Sequence, residues 1–375
     1  MRTPDALVIG GGIIGLTSAY FLAKAGLSVE VLDRGDMGRG ASWAGAGILP
    51  PGNAAKAATP IEKLRAESVA RFPVFSDELL ELTGIHNGFY RCQGVEFLTP
   101  EDEYALEVWG EEGIGFRPWC KEDSPGLNAP QGTTGYFLPG LAQVRNPWHL
   151  RALIAGCERL GVRLTPQSAV SEWQLEGERI EAISTTSGER KSAGQFVLAT
   201  GAWSEELLAQ LGWTPGVHPV RGQIVLFNPA TEEPVLWNVV MAGKRYLVPR
   251  ADGRVLVGST EEPEAGFTLG NTERGLRDLI DFARGLVPKL ERAPVEKTWS
   301  GLRPGTPDGL PFLGPIPDYS NAFAALGHFR SGVQLSIGTG EVIRDLVLGK
   351  PPEIPIEAFR LDREPEIPAR PAFRS

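Results

Sequence analysis

Cysteine is scarce in this 375-residue chain, and its scarcity excludes a disulfide scaffold. The three cysteines, Cys92, Cys120 and Cys157, fall at no metal-binding spacing and leave one unpaired in any disulfide scheme. We therefore expect a reduced compartment and no bound metal.

An excess of positive charge and an unbroken apolar run are also lacking. The 37 basic and 46 acidic side chains give a net charge of −9, which argues against nucleic acid or an anionic membrane surface as a partner. Residues 6–23 are apolar but contain four glycines, so they are a poor membrane span. Cleavage of this run as a signal peptide would sever the motif described next. The expectation is a soluble, cytoplasmic protein with no membrane partner.

The strongest motif is a glycine-rich turn near the start of the chain. Residues 6–9 form an apolar run of strand length, followed by Gly10, Gly12 and Gly15 and then a helical pattern. A second strand pattern ends at Asp33, which is 18 positions after Gly15 (33 − 15). Strand, turn, helix, strand and acid together predict a dinucleotide site, with pyrophosphate at the helix N-terminus and ribose at the acid. An α/β unit without a ligand is the alternative.

The remaining patterns predict two interleaved domains, because strand and helix patterns of the first unit resume twice after insertions. The predicted fold class is α/β: a Rossmann-like dinucleotide-binding domain with an inserted α+β substrate domain built on an antiparallel sheet. The first domain comprises residues 1–85, 141–215 and 301–350, the second residues 86–140 and 216–300. Residues 351–375 form a proline-rich tail for which we predict little regular structure.

Six motifs carry a resemblance to a known family. They are VIGGGIIG at 8–15, ASWAGAGIL at 41–49, PVRGQ at 219–223, YLVPR at 246–250, GLRP at 301–304 and GHFR at 327–330. In this order they resemble the glycine oxidase branch of the D-amino-acid-oxidase-type flavoproteins. The first motif is shared with many flavin and NAD enzymes, whereas the last three together are more specific.

The resemblance implies FAD bound without a covalent link. Carried over position by position, it assigns cofactor contacts to Gly10, Gly12, Ile13, Ile14, Gly15, Asp33, Arg34, Ala41, Ser42, Ala46, Gly47, Ile48, Val170, His328, Arg330, Ser331, Gly332, Val333 and Gln334. Gln334 and Ser336 are more polar than the family pattern, which predicts a more polar edge around the flavin ring.

Substrate binding calls for a cation with two parallel donors to meet a carboxylate, which is arginine chemistry. Arg303 is the predicted clamp, although it could instead pin its own turn. The resemblance adds Tyr246 as a hydroxyl donor and places Arg330 near substrate and flavin; a tyrosine in a strand is otherwise more often a core residue. His328 is a candidate base, equally explained by packing.

Two further expectations concern the inserted sheet. Arg221 and Gln223 are expected to be architectural, and residues of the sheet, such as those near 237–241, are expected to set the pocket volume.

By resemblance, the predicted reaction is oxidation of glycine, small amines or D-amino acids. Hydride transfer from Cα to flavin N5 gives an imine, then a keto acid, ammonia and hydrogen peroxide. The glycine imine can supply thiazole for thiamine. The partners are the amine and oxygen, and the resemblance is compatible with a homo-oligomer. The alternatives are a dehydrogenase of D-amino acids or secondary amines that passes electrons to another acceptor, a non-catalytic flavin-binding or electron-transfer subunit and, least favoured, an NAD-linked dehydrogenase.

Overall fold

A computed structural model describes residues 3–365 of the chain. In that part the helices are α1 Ile13–Lys24, α2 Ala41–Ala44, α3 Pro60–Thr83, α4 Tyr104–Glu112, α5 Asn146–Arg159, α6 Ser204–Ala209, α7 Glu273–Leu286 and α8 Gly332–Val347. The strands are β1 Ala6–Ile9, β2 Val29–Leu32, β3 Ile48–Leu49, β4 Tyr90–Arg91, β5 Gly94–Leu98, β6 Arg117–Pro118, β7 Thr134–Leu138, β8 Ala142–Gln143, β9 Arg163–Thr165, β10 Val170–Glu176, β11 Arg179–Thr185, β12 Arg190–Lys191, β13 Gln195–Leu198, β14 His218–Phe227, β15 Val239–Ala242, β16 Arg245–Pro249, β17 Val255–Gly258, β18 Val295–Gly305, β19 Phe312–Pro315 and β20 Ala322–Leu326.

A six-stranded sheet in the order β19-β20-β13-β1-β2-β9 organises the first domain. Its strands are parallel except for β19, which runs antiparallel to β20. Alternate residues of β1 face opposite layers, because side chains on a strand alternate between its two faces. Val8 packs with α1, α3, α5 and α8, whereas Leu7 packs with the small antiparallel sheet β10-β11-β12. Helices and a three-stranded sheet thus cover the two faces.

The second domain is built on an eight-stranded sheet in the order β18-β14-β17-β16-β15-β5-β7-β6. Every neighbouring pair for which the register is defined is antiparallel except β15 with β5. Helix α7 packs on one face through Leu279, Ala283 and Leu286. On the other face lie Ala105 and Trp109 of α4, together with Ala46 from the first domain.

The predicted domain division at residue 301 falls inside a strand. Strand β18 continues to Gly305, and residues as late as Arg303, Pro304 and Gly305 pair with β14. The GLRP motif therefore lies in the antiparallel sheet of the second domain. Arg303 is positioned by this sheet.

The proline-rich C-terminal segment has little regular structure up to residue 365, yet it packs on the first domain. A single 3₁₀ turn, Glu357–Phe359, is present in this segment, and Ile354, Phe359 and Leu361 are buried. Arg363 donates through Nε and Nη2 to the two carboxylate oxygens of Asp308, at 2.8 and 2.9 Å. The rest of the predicted tail lies outside the described residues.

Among the helices described between residues 3 and 365, none is long and apolar enough to cross a membrane.

Candidate active site

One large pocket, with a volume of about 1040 Å³, lies between the two domains. Its wall includes Tyr246, Arg303 and every predicted cofactor residue except Gly15. The wall also includes Thr200, Gly201 and Trp203 from the segment after β13, none of which is among the predicted site residues. The fold thus brings together residues that are up to about three hundred positions apart in the chain.

The glycines of the first turn have different roles. A Cβ on Gly10 would lie 2.2 Å from the carbonyl oxygen of Ala199, and Gly10 has φ of +112°. A Cβ on Gly15 would lie 1.8 Å from the carbonyl oxygen of Gly10, so Gly15 allows α1 to pack on β1. On Gly12 the nearest atom would be Ser42 Oγ at 3.3 Å. Gly10 and Gly15 are therefore required by the fold, whereas Gly12 leaves room beside the pocket.

Two helices begin at this pocket without side-chain caps. Helix α1 starts after Gly12 and α8 after Ser331; neither has a side-chain cap or an acidic residue in its first turn. Ile13 N–H donates to Ser42 Oγ at 2.9 Å. Because the remaining first-turn N–H groups have no intrahelical partner, both ends favour anionic or electron-rich ligand groups. These ends suit a pyrophosphate at α1 and a flavin ring edge at α8.

Asp33 lies at the end of β2, where the sequence predicted a ribose ligand. Its carboxylate accepts from Gly11 N–H and Gly35 N–H, both at 2.7 Å, which fixes its orientation. Each oxygen keeps a second lone pair that can accept from a hydroxyl. Arg34 lies over the ring of Trp203, with 4.6 Å between the guanidinium carbon and the ring centroid. Arg34 and Trp203 thus stack on each other at the pocket wall.

His328 and the residues after it border the start of α8. Its Nε2 is 3.0 Å from Thr339 Oγ1, and burial lowers the pKa of His328 to about 3. The ring is therefore neutral and directed toward α8. Gln334 Nε2 donates to the carbonyl oxygen of Pro50 at 3.4 Å. Ser336 is buried, donates to the Val333 carbonyl and does not line the pocket. Of the two polar residues Gln334 and Ser336, Gln334 is therefore the one that adds polarity to the pocket wall.

Arg303 is held at the other end of the pocket. Its Nη2 donates to Ser259 Oγ at 2.5 Å and its Nη1 to the Thr260 carbonyl at 3.2 Å. A Cβ on Gly222 would lie 2.2 Å from both terminal nitrogens, so the guanidinium needs glycine beneath it. Burial, together with the charge of Arg330, lowers the pKa of Arg303. Arg303 forms no ion pair with any carboxylate in residues 3–365.

Tyr246 lines the same pocket from β16. It pairs with Gly258, where an added Cβ would be 2.7 Å from the tyrosine hydroxyl oxygen. Gly258 immediately precedes Ser259, the residue that holds Arg303. The hydroxyl of Tyr246 is thus positioned by the strand that also positions the arginine.

Arg330 lines the pocket but is already engaged by protein groups. Its Nη1 lies 3.1 Å from Glu261 Oε2 and its Nη2 donates to the Lys244 carbonyl at 2.7 Å. Lys244 Nζ is 2.5 Å from Glu261 Oε1. Glu261, Lys244 and Ser259 are not predicted as site residues from the sequence, because no local pattern distinguishes, for example, Glu261 from the neighbouring Glu262.

Two expectations about the inserted sheet have different outcomes. Arg221 and Gln223 both donate to Glu262 and neither lines the pocket, which agrees with an architectural role. Residues of the inserted sheet, such as Ile224 and Tyr246, do line the pocket, which agrees with the expectation that this sheet contributes to the pocket volume. Residues 237–241, the stretch expected to do so, are absent from the pocket wall, so that part of the expectation is wrong.

The sheet order and the glycine-rich turn are those of a dinucleotide-binding protein, whose pocket is also lined by Arg303 and Arg330. The chain belongs to the FAD dependent oxidoreductase family, whose model matches residues 5–346. A glycine oxidase of Pseudomonas aeruginosa is 35% identical over 356 residues, covering 93% of this chain and 96% of that protein.

Two further relatives point the same way. The crystal structure of glycine oxidase from Geobacillus kaustophilus matches with a TM-score of 0.89 at 31% identity, covering 97% of this chain and 100% of that one. The bifunctional protein ThiO/ThiG of Trichormus variabilis is 33% identical over 370 residues, which are 96% of this chain and 55% of that protein. The resemblance inferred from the motifs is confirmed, and FAD is the cofactor of this enzyme.

Proposed function

We propose that the protein oxidises glycine and other small amines or D-amino acids, with oxygen as the electron acceptor. Loss of a hydride from Cα and a proton from nitrogen gives an imine, which water converts to glyoxylate or another keto acid and ammonia. Oxygen takes up the two electrons and two protons to give hydrogen peroxide. The observation that carries the proposal is Arg303, a pocket cation without an ion-pair partner in residues 3–365.

Arg303 and Tyr246 hold the substrate in this proposal. A guanidinium has five N–H donors in a planar fork, and two of those on Arg303 are used by Ser259 and Thr260. The remaining donors suit the two oxygens of a carboxylate, and the Tyr246 hydroxyl adds a third. A carboxylate fixed in this way leaves the amine and Cα to face the cofactor end of the pocket.

The two uncapped helix ends serve the cofactor. FAD bound without a covalent link would supply the two-electron oxidation. The α1 N-terminus would hold its pyrophosphate, and Asp33 would accept a hydrogen bond from its ribose. The first-turn N–H groups of α8 would stabilise negative charge at the ring edge.

His328 does not serve as the base for the amine proton in this proposal. Because His328 has its pKa lowered to about 3 by burial and directs Nε2 to Thr339, it is a weak proton acceptor. The substrate is therefore expected to react as the neutral amine. Turnover is expected to increase with pH as the neutral amine becomes more abundant.

The visible spectrum of the purified protein tests this function. Glycine added anaerobically should bleach the flavin bands, and air should restore them with release of peroxide. Bleaching without prompt recovery in air would indicate a dehydrogenase that uses another acceptor. No bleaching with glycine, sarcosine or D-alanine would contradict amine oxidation and favour a non-catalytic flavin protein.

We also propose that the glycine imine supplies thiazole synthesis for thiamine. The likeness to a bifunctional protein ThiO/ThiG over 96% of this chain supports this role. Restoration of growth without thiazole in a cell that lacks its own glycine-oxidising enzyme would test it, with an Arg303→Met variant as the inactive control. Failure to restore growth by a protein that oxidises glycine in vitro would contradict the thiamine role alone.

A further inference from the structure

Glu261 stands at the substrate end of the pocket between two cations. Its Oε1 is 2.5 Å from Lys244 Nζ and its Oε2 is 3.1 Å from Arg330 Nη1. The Lys244 side chain is 72% exposed, whereas those of Glu261 and Arg330 are 25% and 17% exposed. Glu261 and Arg330 therefore form the inner part of the cluster, with Lys244 at the rim.

Glu261 carries a negative charge beside the substrate end. Burial raises the pKa of Glu261, but the hydrogen bonds and charges of Lys244 and Arg330 outweigh burial and lower it overall. Its charge also acts on Arg303, whose positive form it favours. The carboxylate is thus ionised at neutral pH and within electrostatic reach of the clamp.

The ion pair with Glu261 limits the availability of Arg330 to a substrate carboxylate. The guanidinium is engaged by Glu261 through Nη1 and by the Lys244 carbonyl through Nη2. Arg303, by contrast, donates to the Ser259 hydroxyl and the Thr260 carbonyl and also interacts with the Tyr246 side chain, and none of these three groups is a carboxylate. Of the two pocket arginines, Arg303 is therefore the one whose charge is available to a substrate carboxylate.

We propose that Glu261 is a specificity-determining residue that restricts the pocket to substrates with one carboxylate. The inference rests on the proposed function, in which Arg303 binds the carboxylate of a small amino acid. A second carboxylate would find Arg330 already paired and would be repelled by Glu261. Substrates with a neutral side chain or N-substituent escape this repulsion.

Binding of unreactive anions tests the proposal without turnover. Acetate and malonate differ by one carboxylate, and each can be titrated against the visible spectrum of the FAD-loaded protein. Glu261→Gln keeps the size of the side chain and one acceptor oxygen but removes its charge. We expect this variant to strengthen malonate binding relative to acetate by about tenfold or more, the effect of about 1.4 kcal/mol.

A matched control separates the local charge from net charge. Glu264 is exposed and lies three positions further along, in the 3₁₀ turn Pro263–Ala265. Glu264→Gln makes the same change in net charge and should leave the malonate-to-acetate ratio at the wild-type value. An unchanged ratio in Glu261→Gln, or an equal gain in Glu264→Gln, would overturn the proposal.

The role of Arg330 is tested by combining substitutions. If Glu261→Gln frees Arg330 for a second carboxylate, adding Arg330→Met should abolish the gain in malonate binding. A gain that persists in the double variant would refute this mechanism. Glu261→Met provides a second uncharged side chain of similar length should the glutamine variant lose its FAD, and the same gain is expected from it.

Turnover gives an independent comparison. Sarcosine and iminodiacetate are both N-substituted glycines, and the second carries an additional carboxylate. Wild-type protein should favour sarcosine in kcat/KM, and Glu261→Gln should shift the ratio toward iminodiacetate by about tenfold or more. If wild-type protein oxidises neither glycine nor sarcosine, the proposed function fails, while the malonate-to-acetate comparison still decides the role of Glu261.

Discussion

Replacing Arg303 should separate substrate binding from stability. Arg303→Met keeps an unbranched side chain above Gly222 but removes every donor that could meet a carboxylate. Truncating one partner of a buried, hydrogen-bonded charge pair costs about 2–5 kcal/mol, which corresponds to a loss of affinity of about 30-fold to 5,000-fold. Arg303→Lys keeps the charge and loses the two-pronged geometry, so we expect about a tenfold loss.

Stability should respond differently, because no carboxylate in residues 3–365 pairs with Arg303. The substitution to methionine removes the hydrogen bonds to Ser259 and Thr260, but it also removes the desolvation cost of a buried charge. The free energy of unfolding is therefore expected to change by no more than about 1 kcal/mol.

Acetate titration of the flavin spectrum and glycine kinetics measure the loss of affinity. Urea unfolding measures the change in the free energy of unfolding. Wild-type acetate affinity in Arg303→Met would refute the assignment of the clamp. A loss of several kcal/mol of stability would show instead that the arginine mainly pins its turn.

Three other substitutions test the cofactor site and the fold. Gly12→Ala should weaken FAD binding by at least about tenfold while the apoprotein keeps its thermal stability, because the added Cβ faces the pocket; FAD titration and melting curves measure both. Burial lowers the pKa of His149 to about 4, below its unfolded value, so the unfolded state binds more protons and stability falls as pH drops from 6.5. At pH 5 the free energy of unfolding is lower by about 2 kcal/mol for this reason. In His149→Gln the free energy of unfolding, measured with urea, should fall less steeply with decreasing pH, by about 1.4 kcal/mol per pH unit. Asp308→Ala leaves the largely buried charge of Arg363 without its partner, and the free energy of unfolding measured with urea should fall by about 3–5 kcal/mol. A loss below about 1 kcal/mol would contradict a structural role for the pair.

The cofactor half of the site could be predicted because its requirements are local. Gly10 and Gly15 are fixed by the crowding of a strand, a turn and a helix that follow one another, and the sequence pattern records that crowding. Of the residues in these contacts, only Ala199 is distant in the chain. The position of Asp33 at the end of β2 follows from the same unit.

The substrate half depended on pairings that no local pattern contains. Glu261 and Arg330 are 69 positions apart, and Arg303 and Ser259 are 44 apart. Periodicity predicts that β14 and β17 exist, but it does not predict which polar groups meet beside them, and it does not predict β18. The family resemblance supplied Arg303, Tyr246 and Arg330, yet it could not indicate that Arg330 is paired in this chain.

The C-terminal segment shows a related limit. Frequent prolines predicted little regular structure, and a single 3₁₀ turn agrees with that up to residue 365. Packing does not require regular structure, however, and Phe359 is fully buried while Arg363 lies 3.8 Å from the ring centroid of Phe312. Apolar residues between prolines were the signal that this segment covers a surface.

A pair of glycines connects the cofactor loop to the substrate clamp. Gly222 of β14 and Gly301 of β18 lie directly opposite each other, and Arg303 is two positions after Gly301, so all three share one face of the sheet. A Cβ on Gly301 would lie 2.7 Å from Cβ of Ala44 in α2, and one on Gly222 would displace the Arg303 guanidinium. A side chain at Gly301 would therefore displace α2, which lines the pocket, and a side chain at Gly222 would displace Arg303, the residue proposed to bind the substrate carboxylate. The close approach of these two parts is set by the sheet itself, which explains why the GLRP motif combines a glycine and an arginine at this spacing.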